Sequence, residues 1–180
     1  MKRKNRPISE TEVKDYPTMI FPEDLNSQDK MFGGMLVATM DKLAGTLLFR
    51  HTEGQSFGTV CIDGISFLVP VYRGDLLLLD ATINRVWNTS CEIGIRAKVQ
   101  RKRTGKIQHL SSTYFTFVAV EELEEIDEES GHPKIIAAPI KYGAIPRTKD
   151  QKRRWQEAEE RRQERLKKKT LPRASLWVFT

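Results

Sequence analysis

Cysteine is scarce in this chain of 180 residues: there are two, Cys61 and Cys91. Both lie inside apolar, strand-like runs with no pairing or metal spacing around them. That excludes a disulfide scaffold and predicts reduced thiols in a core. Of the three histidines, His109 and His132 have no Cys, Asp or Glu at ligand spacing, so no metal site is expected. Long hydrophobic runs are missing too. The longest purely apolar stretches cover a few residues, such as Leu76 to Leu79, too short to cross a bilayer. Met1 to Glu10 carries basic residues with no apolar stretch behind them, which predicts a chain without a secretory leader and a cytoplasmic location. Also absent are GxGxxG, the P-loop and GxSxG, which removes the commonest signatures of dinucleotide binding, phosphoryl transfer and serine hydrolysis.

What is present is a globular composition. Hydrophobic residues make up 39% and charged residues 30%, enough apolar material for the core of one domain of ordinary size. The formal net charge is +6, unevenly placed. Residues 121 to 129 are acidic, whereas Arg147 to Lys169 holds most of the excess cations. Glu157, Glu159, Glu160 and Glu164 interleave with those cations at helical spacing, the pattern of a solvated, ion-paired helix rather than a nucleic-acid footprint.

Periodicity orders the rest. Residues 1 to 22 are polar with three prolines and read as an arm; 23 to 34 read as a loop ending in Gly33-Gly34. From Met35 to about His51, Leu36, Met40, Leu43 and Leu47 recur at steps of three and four. Val37, Ala38, Ala44 and Leu48 add a second apolar row, which predicts a buried helix. Strand-like runs follow at 58–65, 67–71, 76–87, 90–101 and 107–120. The fourth alternates clearly: Cys91, Ile93, Ile95, Ala97 and Val99 face one way, with Glu92, Arg96, Lys98 and Gln100 among the others. An acidic, glycine- and proline-punctuated segment spans 121–146 before the charged helix. One buried helix followed by long antiparallel strands gives an α+β domain over 23–146, with 147–180 as a basic helix and tail.

Few positions in this frame invite chemistry. Asp41 lies on the buried helix, where an ionised carboxylate needs hydrogen bonds or a partner and is suited to general-base or nucleophilic work. Gly33 and Gly34 open that helix. Its first amides lack intrahelical acceptors and carry the positive end of the dipole, which suits a polarised carbonyl or oxyanion. Asn26, by pattern, is a loop or capping residue, and Asn88-Thr89-Ser90 a polar turn. His51 ends the helix, where it complements the dipole.

Taken in order, these residues resemble the acyl-CoA thioesterase branch of the hotdog superfamily. The run Asn26 to Gly45, NSQDKMFGGMLVATMDKLAG, is similar to its opening. Arg50-His51, Phe67, Pro70-Val71, Gly74-Asp75, Thr89-Ser90 with Glu92 just after, and Phe115-Thr116-Phe117-Val118 follow in the family's order. The likeness covers residues 20 to 120 strongly and the charged tail loosely. Two departures bear on substrate choice: the polar loop Ser27 to Lys30, and Trp87-Asn88 where glycine is common.

The resemblance implies a curved antiparallel sheet wrapped around a long central helix, with two such sheets joined edge to edge in a homodimer, and in many members a trimer of dimers. It implies Asp41 as the catalytic carboxylate, activating water or attacking the thioester. Asn26 of one chain would meet Asp41 of the other, and the Gly33 and Gly34 amides would polarise the carbonyl. Asn88, Thr89 and Ser90 would lie near the pantetheine arm or the dimer seam, with Phe67 along the substrate. Apart from the likeness, Arg101, Lys102, Arg103 and Lys106 cluster at a strand turn, which reads either as a site for the 3′-phosphate of CoA, through Arg101 and Arg103, or as a solvated basic turn. No cofactor is expected, coenzyme A being part of substrate and product. Nor is a membrane or nucleic-acid partner. Two alternatives stay open: a dehydratase or isomerase of the same fold, which would use a histidine, and a non-catalytic module binding CoA esters or, through the basic tail, nucleic acid.

Overall fold

The computed structural model describes residues 3–170. Its elements in order are β1 (Lys4–Pro7), β2 (Val13–Met19), α1 (Gly33–Thr52), β3 (Phe57–Ile62), β4 (Leu76–Val86), β5 (Ser90–Gln100), β6 (Ile107–Ile126), β7 (Pro133–Ala137), β8 (Tyr142–Ile145) and α2 (Lys149–Thr170). The main sheet runs β2-β4-β5-β6-β3, with β7 pairing the far end of β6. All its pairings are antiparallel. β1 and β8 form a separate parallel pair.

The helix and the three long strands arise for the reason the periodicity implied. Leu36, Met40, Leu43, Ala44, Leu47 and Leu48 put one stripe of α1 onto the sheet. The sheet answers with Leu77, Leu79, Ala81 and Ile83 of β4, Cys91, Ile93, Ile95, Ala97 and Val99 of β5, and Phe115, Phe117 and Ala119 of β6. Full burial of each larger side chain contributes about 1.5–3 kcal/mol, so this interface dominates stability. The result is the expected α+β architecture, a sheet around a central helix.

Four local expectations change. The polar stretch at 1–22, read as an arm, supplies β1 and β2. β2 is an edge strand, the place where Pro17 is tolerated because one side of the strand needs no partner. Phe67–Val71 is not a strand. It crosses the start of α1 as a loop, tied by Leu68 N–H to the Leu110 carbonyl (2.9 Å) and by the Val71 carbonyl accepting from Met31 N–H (2.9 Å). The segment 121–146 contains the end of β6, then β7 and β8. Those acidic residues lie on an exposed two-stranded ribbon, which has no buried face to betray it. Finally, α1 is buried on one side only: Gly34, Met35, Ala38 and Lys42 are exposed, because a single sheet covers a single stripe.

The outer face of the sheet carries α2. Ala158 and Gln151 are buried there, Trp155 packs against the core, and arginines of the helix reach the sheet, so the helix is docked rather than simply solvated. Residues 171–180, the end of the tail, lie outside the described residues.

Candidate functional site

The start of α1 is built without a side-chain cap. Phe32 stands at the N-cap in an extended conformation. Its carbonyl accepts from Met35 and Leu36, while no oxygen among the described residues accepts from the Gly33 or Gly34 amides. Glycine matters differently at the two positions. A Cβ on Gly33 would fall 2.8 Å from the Phe67 ring, whereas one on Gly34 would meet nothing within 4 Å. Gly33 thus lets the Phe67 ring come close to the helix start, and Gly34 leaves its amide open. Beside them is a cavity of about 180 Å³ lined by Asn26, Lys30, Phe32, Gly33, Phe67 and Val71, among others. Asn26 is fixed by a turn of its own: its Oδ1 accepts from the Gln28 and Lys30 amides at 2.9 and 3.2 Å. That leaves Nδ2 without a partner among the described residues. Three of the expected site residues, Asn26, Gly33 and Phe67, therefore converge on one cavity, with Gly34 next to it.

Asp41 is not in that group. Eight residues along α1 from Gly33, it stands about 12 Å farther down the axis at 1.5 Å per residue. It is half-buried, and its Oδ1 accepts a 2.7 Å hydrogen bond from the Thr59 hydroxyl of β3. Thr59 was absent from the expected set. An exposed threonine on an edge strand carries no mark in the sequence, and only the chain's return past α1 reveals it. A carboxylate with one hydrogen bond and open access can take a proton from water or attack an electrophile.

The Asn88-Thr89-Ser90 turn lies toward the other end of α1. The Asn88 carbonyl accepts from Ile140 N–H (2.8 Å) and from Arg3 Nη2 (2.9 Å), and the Thr89 carbonyl accepts from Ala119 N–H (2.8 Å). Asn88 also borders a cavity of about 860 Å³ with Arg3, Lys4, Thr52, Lys141 and Tyr142. Arg101, expected to face phosphate, is committed internally. It donates to the Pro70 carbonyl (2.9 Å), Asp75 Oδ2 (2.7 Å) and Gln108 Oε1 (2.7 Å). Burial works against the charge on Asp75. The Lys102 amide, the Arg101 guanidinium and the Tyr72 amide outweigh it and hold the carboxyl below its usual range. Arg101 thus locks the 70–75 loop, whereas Arg103 is exposed on the β5–β6 turn.

His51 and Cys91 are structural. His51 is fully buried; its Nε2 donates to the Gly143 carbonyl (3.3 Å) and its Nδ1 accepts from Thr11 (3.2 Å). Burial lowers its pKa to about 4, assisted by the Arg6 charge and opposed by the Gly143 bond. A histidine held neutral in this way is no general acid near pH 7. Burial and the neighbouring Glu92 push the Cys91 thiol up, so it stays protonated. Cys61 is only half-buried, not a core thiol. Among the described residues no three His, Cys, Asp or Glu side chains are grouped to hold a metal, and no helix is long and apolar enough to cross a membrane.

Residues 29–106 match the family model of the thioesterase superfamily. An uncharacterized acyl-CoA thioester hydrolase of Buchnera aphidicola is 31% identical over 122 residues, covering 66% of this chain and 84% of that protein. Among solved structures, an apo-hexameric acyl-CoA thioesterase superposes with a TM-score of 0.75 at 26% identity, over 93% of this chain and 99% of that one. The acyl-CoA hydrolase of Staphylococcus aureus, solved with butyryl-CoA, CoA and CoA disulfide, gives 0.68 at 27% identity, over 91% and 94%. That enzyme has also been solved with an aspartate, an asparagine and a threonine each replaced by alanine. With its sheet wrapped around α1, the chain belongs to the thioesterase superfamily, in the branch of the acyl-CoA thioester hydrolases.

Proposed function

We propose that Asp41 is the general base of this acyl-CoA hydrolase and that each active site is shared between two protomers. Asp41 takes a proton from water, which attacks the thioester carbonyl. The oxygen that becomes negative is met by the free amides of Gly33 and Gly34, and the CoA thiolate leaves and is protonated. Asn26, through Nδ2, orients the water or the acyl carbonyl. The observation that carries this reading is the distance: about 12 Å along α1 separates the amides from the carboxylate, too far for one carbonyl to touch both within one chain. A second copy, turned about a two-fold axis, would bring the helix start of one protomer to Asp41 of its partner. Exposed apolar groups near both regions, Phe32, Met35, Val60 and Ile62, support such a contact. A trimer of these dimers is the further assembly we propose, in keeping with the hexameric relative.

The three substitutions solved in the S. aureus enzyme support the same residues. Its replaced asparagine and aspartate have the separation of Asn26 and Asp41, and its threonine lies one position nearer the aspartate than Thr59 does. The CoA phosphates need cations without carboxylate partners. Among the described residues, Arg103, Lys102 and Lys106 on the β5–β6 turn have no such partner, nor do Arg3 and Lys141 beside Asn88; Arg101 has one in Asp75. The chemistry as drawn uses a carboxylate, amides and water, with no resident cofactor, and the site sits on a chain proposed to work in the cytoplasm. The test is free-thiol release from a panel of acyl-CoAs of increasing chain length, wild type against Asp41→Asn. Release that vanishes in the variant supports the reading; undiminished release removes Asp41 from the mechanism.

A further inference from the structure

Glu92 falls on the polar side of β5 yet is sealed from water. It lies in the middle of the sheet's outer face, is 0% exposed, and binds two arginines of α2. Its Oε1 accepts from Arg161 Nη2 (2.7 Å) and Asn84 Nδ2 (3.0 Å), and its Oε2 from Arg165 Nη2 (2.9 Å) and Arg161 Nε (3.2 Å). Arg161 also lies 3.6 Å over the Tyr114 ring. Burying such charges is costly before their attraction repays it, so docking α2 with apolar side chains would be simpler. What the charged solution adds is reach. Arg165 does not stop at Glu92: its Nη1 donates to Asp63 Oδ2 at 2.7 Å.

Asp63 follows directly on β3, the edge strand that carries Thr59. That strand is paired on one side only, and its register to β6 shifts between Thr59 and Cys61. An irregularity of this kind redirects the side chains on either side of it, so where Thr59 points depends on how the strand beyond the shift is held. Asp63 holds it. Its N–H donates to the Tyr114 carbonyl (2.9 Å), its carbonyl accepts from Thr113 Oγ1 (3.2 Å), and its carboxylate is gripped by Arg165. We propose that Arg165 and Asp63 are positioning residues for the hydrolysis, and that α2 aligns Thr59, and through it the Asp41 carboxylate, from the opposite face of the sheet.

This inference rests on Asp41 being the base, and the experiment separates the two. Thiol release is measured for Arg165→Met, Arg165→Lys and Asp63→Asn, each in the wild-type and in the Thr59→Ala background, beside Asp41→Asn. Asp63→Asn leaves the Glu92 contacts in place and serves if Arg165→Met fails to fold. The expected result is a kcat about tenfold lower at little-changed KM for Arg165→Met and Asp63→Asn, as for a small misplacement of a reacting group. Partial recovery is expected in Arg165→Lys, with no additional loss once Thr59 is alanine. A folded Asp63→Asn enzyme with wild-type kcat, or an equal loss in both backgrounds, overturns the positioning role while a dead Asp41→Asn keeps the base. A fully active Asp41→Asn removes both.

Discussion

Two carboxylates sit on opposite faces of the same sheet and are treated in opposite ways. Glu92 is sealed from water and held by an asparagine and two arginines. Asp41 is half-open, and among the described residues a single threonine hydroxyl binds one of its oxygens. A sealed and fully bonded carboxylate is already at its energy minimum and has no lone pair to offer a substrate. The other keeps one oxygen uncommitted, as a base must. In this molecule burial marks the charge that builds the fold, and partial exposure marks the charge available for chemistry.

The contrast is sharpest where each carboxylate is removed. Asp41→Asn should lower turnover by about 10³-fold, within the range for a positioned acid or base, with an unchanged urea midpoint. Glu92→Ala should act chiefly on stability, with no more than the roughly tenfold loss of turnover that a displaced Arg165 entails. With two arginines left facing each other across a buried site, stability should fall by about 3 kcal/mol, read as a lower urea midpoint at constant slope. If Glu92→Ala were stable and inactive, the division between the two faces would not hold.

A third prediction concerns pH. The pKa of His51 is lowered to about 4 in the folded state, against 6.5 unfolded. Its contribution is therefore complete above pH 6.5 and is lost as pH falls from there toward 4, because the unfolded chain binds the proton first. Linkage gives a loss of about 2 kcal/mol by pH 5. Urea midpoints from pH 7.5 to 5 should fall in the wild type and stay flatter in His51→Gln. Mixed oligomers test the shared site. Asn26→Ala and Asp41→Asn, each inactive alone, should regain about a quarter of wild-type activity when co-refolded, since half the dimers then carry one intact site. Thr59→Ala should have the smallest effect, a kcat loss of about tenfold for one hydrogen bond to a charged group.

Much of the inner face was legible in the sequence, because α1, β4, β5 and β6 each have a buried side and so a period. The outer elements were not. Glu92 falls on the polar side of an alternating strand, and alternation cannot tell a face wetted by solvent from one covered by a charged helix. β1, β2, β7 and β8 are short or exposed and have no apolar rhythm. Of the site, the Gly33-Gly34 pair and Asp41 stood out because of their place on α1, and Asn26 through the family likeness alone. Thr59 and Asp63 were invisible, since their importance comes from β3 passing α1 and α2 on its two sides. Arg101 was misread because a cation at a turn looks the same whether it faces solvent or closes a loop through Asp75.

The parallel pair β1–β8 joins Lys4 through Pro7 to Tyr142 through Ile145, elements far apart in the sequence. β1 has its partner only once β8 is in place, and contacts so distant in sequence are slow to close, which makes this small ribbon the latch of the domain, among the last of its parts to find its place.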